Sequence, residues 1–257
     1  MTRLRFIYST LITTDSPVSS HGFALRCVPM RCPSQKVLWE QVSVIPSVPL
    51  SRSRDAFGNE LLTGYAPMRH DFFAYESAGL VESSPSPDTT PDSIYLYPTP
   101  LTAPSDDLRR AARSLDTSSP AATRASVTSL LYDNMRYERG ATDVNTSAAA
   151  AWNGRVGVCQ DFVLIAVALL RLAGFHARYV CGLMIGHGES HAWVEIFDSD
   201  KWIAFDPTNG KTTTDVGYIK FAHGRDFDDC SMCRGSFSGC ASQSMRVSVE
   251  VWNEQRL

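Results

Sequence analysis

The sequence of 257 residues predicts an α+β protein, and three observations support this class. Short β-rich runs separated by turn signals fill the first part of the chain, up to residue 97. Helical periodicity begins after Pro104, and an apolar helix is then followed by three strand-like runs. Because strands and helices occupy separate parts of the chain, we expect a small antiparallel β domain over 1–97 and an α+β core over 98–257.

The first of these regions is predicted to form a small antiparallel unit. Its β-rich runs are Leu4–Tyr8, Val37–Val44, Leu61–Tyr65 and Ile94–Tyr97. They are interrupted by a turn-forming segment, Asp55–Asn59. Residues Glu82–Asp92 are rich in Ser, Pro and Thr and lack apolar periodicity, so they predict a loop and a domain boundary near residue 95.

Two helices are predicted after this boundary. Ser105 can cap a helix over Asp106–Arg113, whose early acidic residues oppose the positive end of the helix dipole. Ser119 followed by Pro120 is a cap residue followed by proline at the first helical position, which predicts the start of a second helix. The apolar residues of that helix recur at three- and four-residue steps and form one core-facing stripe: Val127, Leu130, Leu131 and Met135.

A more apolar helix is predicted from Cys159 to Ala173, with Gly174 as its stop. The loop before it, 154–158, contains two glycines that permit a tight approach. Three strand-like runs follow the helix: Ala177–Ile185, His191–Phe197 and Lys201–Phe205. The turn Asp198–Asp200 joins the last two runs into a hairpin, so His191 and Asp206 are expected on or beside adjacent antiparallel strands.

Composition and charge exclude several classes of protein. The 24 Lys and Arg residues nearly balance 27 Asp and Glu residues, without a long run of either sign, so no electrostatic feature favours nucleic acid. The N-terminus lacks the apolar segment of a signal peptide, and the longest apolar stretch, 162–170, is too short to span a bilayer. We therefore expect a cytoplasmic protein with neither a nucleic-acid nor a membrane partner.

Cys159, His191 and Asp206 are the candidate catalytic residues. A cysteine is a useful nucleophile only as thiolate, and the first turn of a helix stabilises negative charge through unpaired N–H groups and the helix dipole. His191 lies 32 residues after Cys159 and is a candidate base, and Asp206 lies 15 residues after His191. A hairpin of this length can place His191 and Asp206 side by side, where the carboxylate would orient the imidazole.

Four segments resemble the core motifs of the bacterial transglutaminase-like superfamily and occur in that family's order. These segments are Gly157–Phe162, Ala177–Gly182, His191–Glu195 and Phe205–Asn209. The likeness extends to His223–Phe227 and Arg234–Gly235, and Asp55–Asn59 resembles the β-rich N-terminal region that often precedes this core. The resemblance therefore covers nearly the whole chain.

This resemblance implies a papain-like core with a Cys159–His191–Asp206 triad, in which a helix carrying the cysteine packs on an antiparallel sheet carrying the other two. It implies acyl transfer through a thioester, with a peptide or protein substrate and no cofactor. Water as acceptor would give a protease or amidase, and an amine would give a transglutaminase. The sequence leaves both acceptors open, together with a catalytically silent module that binds a peptide or protein on the same fold.

Each triad residue also has an ordinary structural interpretation. Cys159 taken alone is more typical of a small buried apolar residue. His191 could be a histidine at a strand start that bonds to backbone, and Asp206 before Pro207 is typical of a turn. The presence of all three roles in matching motifs favours catalysis. Asp161 is expected to cap the helix or pair with Arg178, and it is not included in the triad.

Outside the triad, several residues have competing interpretations. Cys230 and Cys233 have C-x-x-C spacing, with Cys240 and His223 as further candidate zinc ligands, but chance spacing or a facultative disulfide is favoured because the surrounding segment looks irregular. We expect no metal site. His187 is interpreted as a solvated loop residue rather than a substrate contact. Two tryptophans on the paired strands are assigned to core packing: Trp193 and Trp202.

Overall fold

The computed structural model describes residues 2–83, 91–211 and 217–254. Its strands are β1 (Thr2–Leu25), β2 (Gln35–Ile45), β3 (Ser51–Arg54), β4 (Glu60–Ala66), β5 (His70–Ser83), β6 (Arg136–Tyr137), β7 (Val156–Gly157), β8 (Ala177–Met184), β9 (Gly186–Gly188), β10 (His191–Asp198), β11 (Lys201–Phe205), β12 (Tyr218–Gly224), β13 (Cys233–Ser238) and β14 (Gln243–Asn253). Its helices are α1 (Asp106–Ala112), α2 (Pro120–Asn134), α3 (Ala148–Gly154), α4 (Cys159–Leu172) and α5 (Phe227–Cys230), with a 3-10 helix at Ser93–Leu96. The α+β class predicted from the sequence is confirmed.

The larger sheet has the strand order β2-β5-β1-β14-β9, and β4 and β13 pair with the second half of β1. Leu4, Phe6 and Tyr8 are buried at alternate positions of β1, which is the period-two pattern of a strand with one face on a core. The ring of Phe6 packs edge-on against Phe221 of β12, with centroids 5.5 Å apart. The inner face of this sheet therefore packs on the second sheet.

The smaller sheet has the order β11-β10-β8-β12, and α4 packs against it. Every residue of Phe162–Leu170 is buried, because α1, α2 and α3 cover the sides of α4 that the sheet leaves open. A helix that is apolar on all sides is typical of a fully buried position. The central helix therefore has a fixed position, which also fixes the residue at its first turn.

The predicted helix boundaries are confirmed. Ser105 and Ser119 each accept a hydrogen bond from a backbone N–H of the first turn, and Pro120 is the first residue of α2. Gly174, just after α4, has a φ of +85°, the left-handed conformation that glycine adopts at low cost. At Asp198–Asp200, two residues with positive φ close the β10–β11 hairpin, Ser199 and Asp200.

Several strand predictions need correction. Ile94–Tyr97 does not form a strand, because Asp92 accepts a hydrogen bond from the N–H of Ile94 and starts a 3-10 helix. The segment after His223 is not irregular, since it forms α5 and two strands that pair with β1. β5 was not predicted, and the predicted loop Glu82–Asp92 falls largely on residues outside the described ranges.

The last long strand, β14, belongs to the larger sheet. Residues Gln243–Asn253 pair antiparallel with the first part of β1, from Leu4↔Asn253 to Thr14↔Gln243. The division of the chain into domains at residue 97 remains a prediction. The larger sheet contains strands from both sides of residue 97, because β14 pairs with β1. Within the described ranges, no helix is long and apolar enough to cross a membrane.

Two buried side-chain amides join the N-terminal region to the edge strand β12. Asn59 Nδ2 donates to the carbonyl oxygen of His223 at 2.8 Å, and the N–H of His223 donates to Asn59 Oδ1 at 2.9 Å. Gln35 forms the same pair of bonds with Lys220, at 2.8 Å each. These amides satisfy backbone groups that an edge strand otherwise leaves unpaired, and they anchor the N-terminal region to the core sheet.

Candidate active site

Cys159 is the first residue of α4, and the residues around it fix the geometry of the helix start. Val158 is the N-cap with extended backbone, and its N–H donates to Asp161 Oδ2 at 2.7 Å. The same carboxylate oxygen accepts from Thr142 Oγ1 at 2.7 Å. Asp161 is thus the predicted cap, and Arg178 pairs instead with Glu195.

Gly157 permits this arrangement. A Cβ atom at that position would lie 2.6 Å from Oδ2 of Asp161, closer than real Cβ atoms approach other atoms. The glycine before the cysteine therefore lets the capping carboxylate pack directly under the turn. The result is a rigid helix start with the Cys159 side chain half-buried at its first position.

His191 and Asp206 lie on the β10–β11 hairpin that the sequence predicted. His191 is the first residue of β10, and Asp206 directly follows β11. Nε2 of His191 lies 2.7 Å from Oδ2 of Asp206, so this nitrogen faces the carboxylate. Cys159 and His191 line the same cavity, so the structure brings the three predicted residues into one region.

The Asp206 carboxylate is fully buried and receives five hydrogen bonds from described residues. Oδ2 accepts from His191, from Asn209 Nδ2 at 2.7 Å and from Tyr218 Oη at 2.8 Å. Oδ1 accepts from the N–H groups of Thr208 and Asn209. Burial alone would raise the pKa of this carboxyl, but the hydrogen bonds with His191, Asn209 and Tyr218 outweigh it and lower the pKa.

The same contacts favour the protonated form of His191. Burial lowers the pKa of the imidazole, but the hydrogen bond to Asp206, aided by Cys159 and by the charges of both groups, raises the pKa to about 9. At neutral pH the ring is therefore mostly an imidazolium. A positive charge beside a thiol at a helix N-terminus stabilises the thiolate.

Two aromatic residues hold the imidazole. Trp193 stacks on His191 with centroids 6.5 Å apart and is itself buried, so its assignment to core packing is confirmed. Tyr218 packs edge-on against Trp193 while its hydroxyl reaches Asp206. Gly182 makes room for Trp193, because a Cβ there would lie 2.7 Å from the indole ring. The orientation of His191 is thus fixed on its ring face as well as at Nε2.

Cys159 and His191 open into a cavity of about 500 Å³. Its rim carries Arg139 and Glu189, whose charged groups lie 3.8 Å apart. His187 also lines the cavity, on β9 rather than in an irregular loop, and its side chain is largely exposed. An open cavity over a thiol is compatible with an extended substrate.

The sequence did not indicate Tyr218 or Asn209 as parts of the site. Asn209 lies three residues after Asp206, within a motif that was already singled out, so its spacing was a usable signal. Tyr218 is distant in sequence from both His191 and Cys159, and only the pairing of β12 with β8 brings it to Asp206. A single sequence carries no signal for that contact.

The late cysteines do not belong to this site. Cys230 is fully buried and its thiol donates to the carbonyl oxygen of Tyr179, whereas Cys233 begins β13 and Cys240 is exposed. His223 is buried beside Arg178. Across residues 2–83, 91–211 and 217–254, no group of three or more His, Cys, Asp or Glu side chains is placed to hold a metal ion.

The fold and the sequence together define the family. Residues 109–207 match the Transglutaminase-like superfamily, and residues 4–82 match the Bacterial transglutaminase-like N-terminal region. The first match includes Cys159, His191 and Asp206, and the second includes most of β1 to β5. The chain belongs to the bacterial transglutaminase-like superfamily, as its motifs predicted.

Relatives of similar length are found in mycobacteria. The uncharacterized protein ML0607 of Mycobacterium leprae is 26% identical over 278 residues, which cover 98% of this chain and 99% of that protein. The uncharacterized protein Rv2569c of Mycobacterium tuberculosis is 26% identical over 290 residues, which cover 97% of this chain and 90% of that protein.

A solved structure shares the whole fold. The structure of a protein from Cytophaga hutchinsonii, described as a candidate cysteine protease, is similar with a TM-score of 0.82 and 24% sequence identity. The superposition covers 99% of this chain and 91% of the other. The N-terminal β region and the core therefore occur in the same arrangement in both chains.

Proposed function

We propose that this protein is a cysteine-dependent acyl-transfer enzyme that acts on amide bonds, with Cys159, His191 and Asp206 as its catalytic residues. The observation that carries the proposal is that Cys159 and His191 line one cavity, with the buried Asp206 carboxylate behind the imidazole. Cys159 lies at a helix N-terminus, and Nε2 of His191 lies 2.7 Å from the buried Asp206 carboxylate. Such an arrangement supplies the nucleophile, base and orienting group of a catalytic triad.

In this mechanism His191 holds the proton that Cys159 gives up, and the thiolate attacks the carbonyl carbon of a peptide or side-chain amide. The carbonyl oxygen gains the negative charge, which the N–H groups of the first turn of α4 stabilise. His191 then returns its proton to the departing amine as the C–N bond breaks. A thioester on Cys159 and a free amine are the products of this half-reaction.

A second nucleophile resolves the thioester. Water or an amine transfers its proton to His191 while attacking the carbonyl, and Cys159 leaves as thiolate. Asp206 keeps its charge throughout and stabilises the imidazolium in both half-reactions. Water as acceptor gives hydrolysis, and an amine gives transamidation, so the acceptor defines the finer activity.

Mass spectrometry tests both steps in one experiment. The protein is incubated with a peptide library and a small primary amine, and cleaved, deamidated and amine-coupled peptides are distinguished by mass. Cys159→Ala should abolish every product, and Cys240→Ala, which changes an exposed thiol, should retain them. Equal product formation by the Cys159→Ala variant would remove Cys159 from the mechanism.

We also propose a cytoplasmic location. Each of the seven cysteines lies in the described part of the chain and is a free thiol, which suits a compartment that keeps thiols reduced. A membrane-impermeant maleimide should label the exposed Cys240 only after cells are lysed. Labelling of Cys240 in intact cells would contradict a cytoplasmic location.

A further inference from the structure

A second cavity, of about 650 Å³, lies between the inner face of the larger sheet and the segment around α5. Three residues line both this cavity and the one over Cys159: Cys181, Ser190 and Phe227. Ser190 directly precedes His191 in the chain. The second cavity therefore borders the candidate catalytic residues.

The strand β14 connects the two cavities. Val249 lines the first cavity, and the next residues on the same face of the strand, Val247, Met245 and Gln243, line the second. Alternate residues of a strand share one face, so these four side chains form a continuous wall. Val249 is buried, whereas Met245 is 59% exposed, so the wall runs from the cavity over the half-buried Cys159 outward to solvent.

The inner end of the second cavity is aromatic. Tyr8, Phe73 and Tyr75 line it and are buried. The hydroxyls of Tyr8 and Tyr75 are 2.8 Å apart and bond to each other, so their polar ends are already satisfied. Burial raises the pKa of both phenols and keeps them neutral. Such a surface favours an apolar ring, which it can contact edge-on or offset.

The charged residues of the described lining compensate each other. Arg234 Nη2 lies 2.6 Å from Asp228 Oδ1, so this pair has no net charge. His21 Nδ1 lies 3.2 Å from His70 Nε2, and burial together with His70 lowers the pKa of His21. A charged group of a ligand would therefore find no unpaired opposite charge in this lining.

We propose that the second cavity is a specificity subsite of the proposed acyl-transfer reaction and binds an apolar, preferentially aromatic, side chain of the peptide or amide substrate. This inference rests on the proposed function, because it places the scissile amide over Cys159. The wall formed by β14 leads from the thiol to the cavity, and the buried aromatic residues supply the contacts. Specificity here is a matter of shape and apolar contact rather than charge.

Dipeptidyl vinyl sulfones test the inference, because their warhead is attacked by a thiolate and their side chain is variable. Probes with phenylalanine, alanine or glutamate side chains are compared by their rates of Cys159 modification, followed by mass spectrometry. Iodoacetamide serves as a reagent that is too small to need the subsite. We expect the phenylalanine probe to react at least about tenfold faster than the other two, since apolar pockets discriminate by this order.

Variants at the mouth of the cavity locate the effect. Met245→Trp adds bulk at an exposed position and should reduce the rate of the phenylalanine probe to that of the alanine probe, without changing the iodoacetamide rate. Leu11→Trp is the matched control. Leu11 is exposed and pairs across the sheet with Arg246, the residue that follows Met245. Its side chain therefore lies on the face of the sheet that is turned away from the cavity. Gln243→Trp replaces Met245→Trp if thermal melting shows that the latter does not fold.

The outcomes separate the two proposals. Equal rates for the phenylalanine and alanine probes, with fast iodoacetamide labelling of Cys159, would overturn the subsite and leave the triad standing. A preference for phenylalanine that survives both Met245→Trp and Gln243→Trp would also overturn it. If iodoacetamide labels Cys159 no faster than the exposed Cys240, the proposed function fails and the subsite fails with it.

Discussion

The Oδ2 atom of Asp206 lies 2.7 Å from Nε2 of His191, and the same oxygen accepts hydrogen bonds from Asn209 and Tyr218. A buried carboxylate with this many donors is held in one position and stays ionised. His191 is therefore oriented by a group that is itself fixed from three directions. Substitution of Asp206 is therefore a direct test of the proposed mechanism.

Asp206→Asn should reduce the rate of Cys159 acylation by roughly 10²- to 10⁴-fold, the usual contribution of a positioned acid or base. The amide lacks the charge that stabilises the imidazolium, and its NH₂ group can meet Nε2 with the wrong polarity. Single-turnover kinetics with an activated amide substrate measure the effect. Asp198→Asn, at the far end of the same strand as His191, should retain nearly the full rate. Similar losses in both variants would point to damage of the hairpin rather than loss of the triad.

The raised pKa of His191 predicts a dependence of stability on pH. Because the folded pKa is about 9 and the unfolded value is 6.5, folding is favoured by proton binding to this ring. The stabilisation is fully present below pH 6.5 and is lost as the pH rises through about 9, with a magnitude on the order of 3 kcal/mol. Urea unfolding of the native chain and of His191→Gln is measured from pH 6 to about pH 10. The difference between their free energies of unfolding at each pH gives the contribution of His191. A difference that does not change over this range would contradict the prediction.

Local sequence signals correctly predicted the helix boundaries and the hairpin that surround the candidate site. The cap at Ser119 and the stop at Gly174 depend on residues a few positions away, so one sequence contains all the information needed. The hairpin that brings His191 to Asp206 closes over a short turn, and its register follows from that turn. These interactions form between residues close in sequence, where composition and spacing are reliable guides.

Long-range pairing could not be predicted in the same way. β14 joins β1 across almost the whole chain, and neither strand has a sequence feature that specifies the other. The second cavity depends on that pairing, because β14 and β1 supply its walls. The strand prediction for Ile94–Tyr97 was wrong for a different reason. Its β-forming residues are overridden by the Asp92 cap, and among the described residues no strand pairs with this segment.

Asn59→Ala should lower the free energy of unfolding by about 2 to 4 kcal/mol, because it leaves the buried N–H and carbonyl groups of His223 without partners. Asn59 is fully buried, so water cannot replace the amide without a local opening of the structure. Denaturant unfolding measures the change. Asn253→Ala, at an exposed position of β14, should change stability by less than about 0.5 kcal/mol. Equal effects of the two substitutions would show that the link to β12 does not contribute to folding.

Gly157→Ala tests whether the rate of acylation depends on the close packing of Gly157 against the Asp161 carboxylate at the start of α4. The added methyl group would lie 2.6 Å from the Asp161 carboxylate that accepts the N–H of Val158. Either the carboxylate or the backbone must move, and both changes displace the adjacent Cys159. Since small misplacements of a nucleophile can cost about 10²-fold in rate, we expect a loss of this order in acylation.

Gly154→Ala is the matched control for this substitution, because its added Cβ would have only one ordinary contact, with Val156 at 3.8 Å. Gly154 ends α3, where alanine is compatible with the helical backbone and should be neutral or slightly stabilising. Acylation kinetics and thermal melting are measured on both variants. A large loss of rate in Gly157→Ala with a small change in melting temperature would assign the effect to the position of Cys159. A normal rate in Gly157→Ala would show instead that the helix start tolerates the shift.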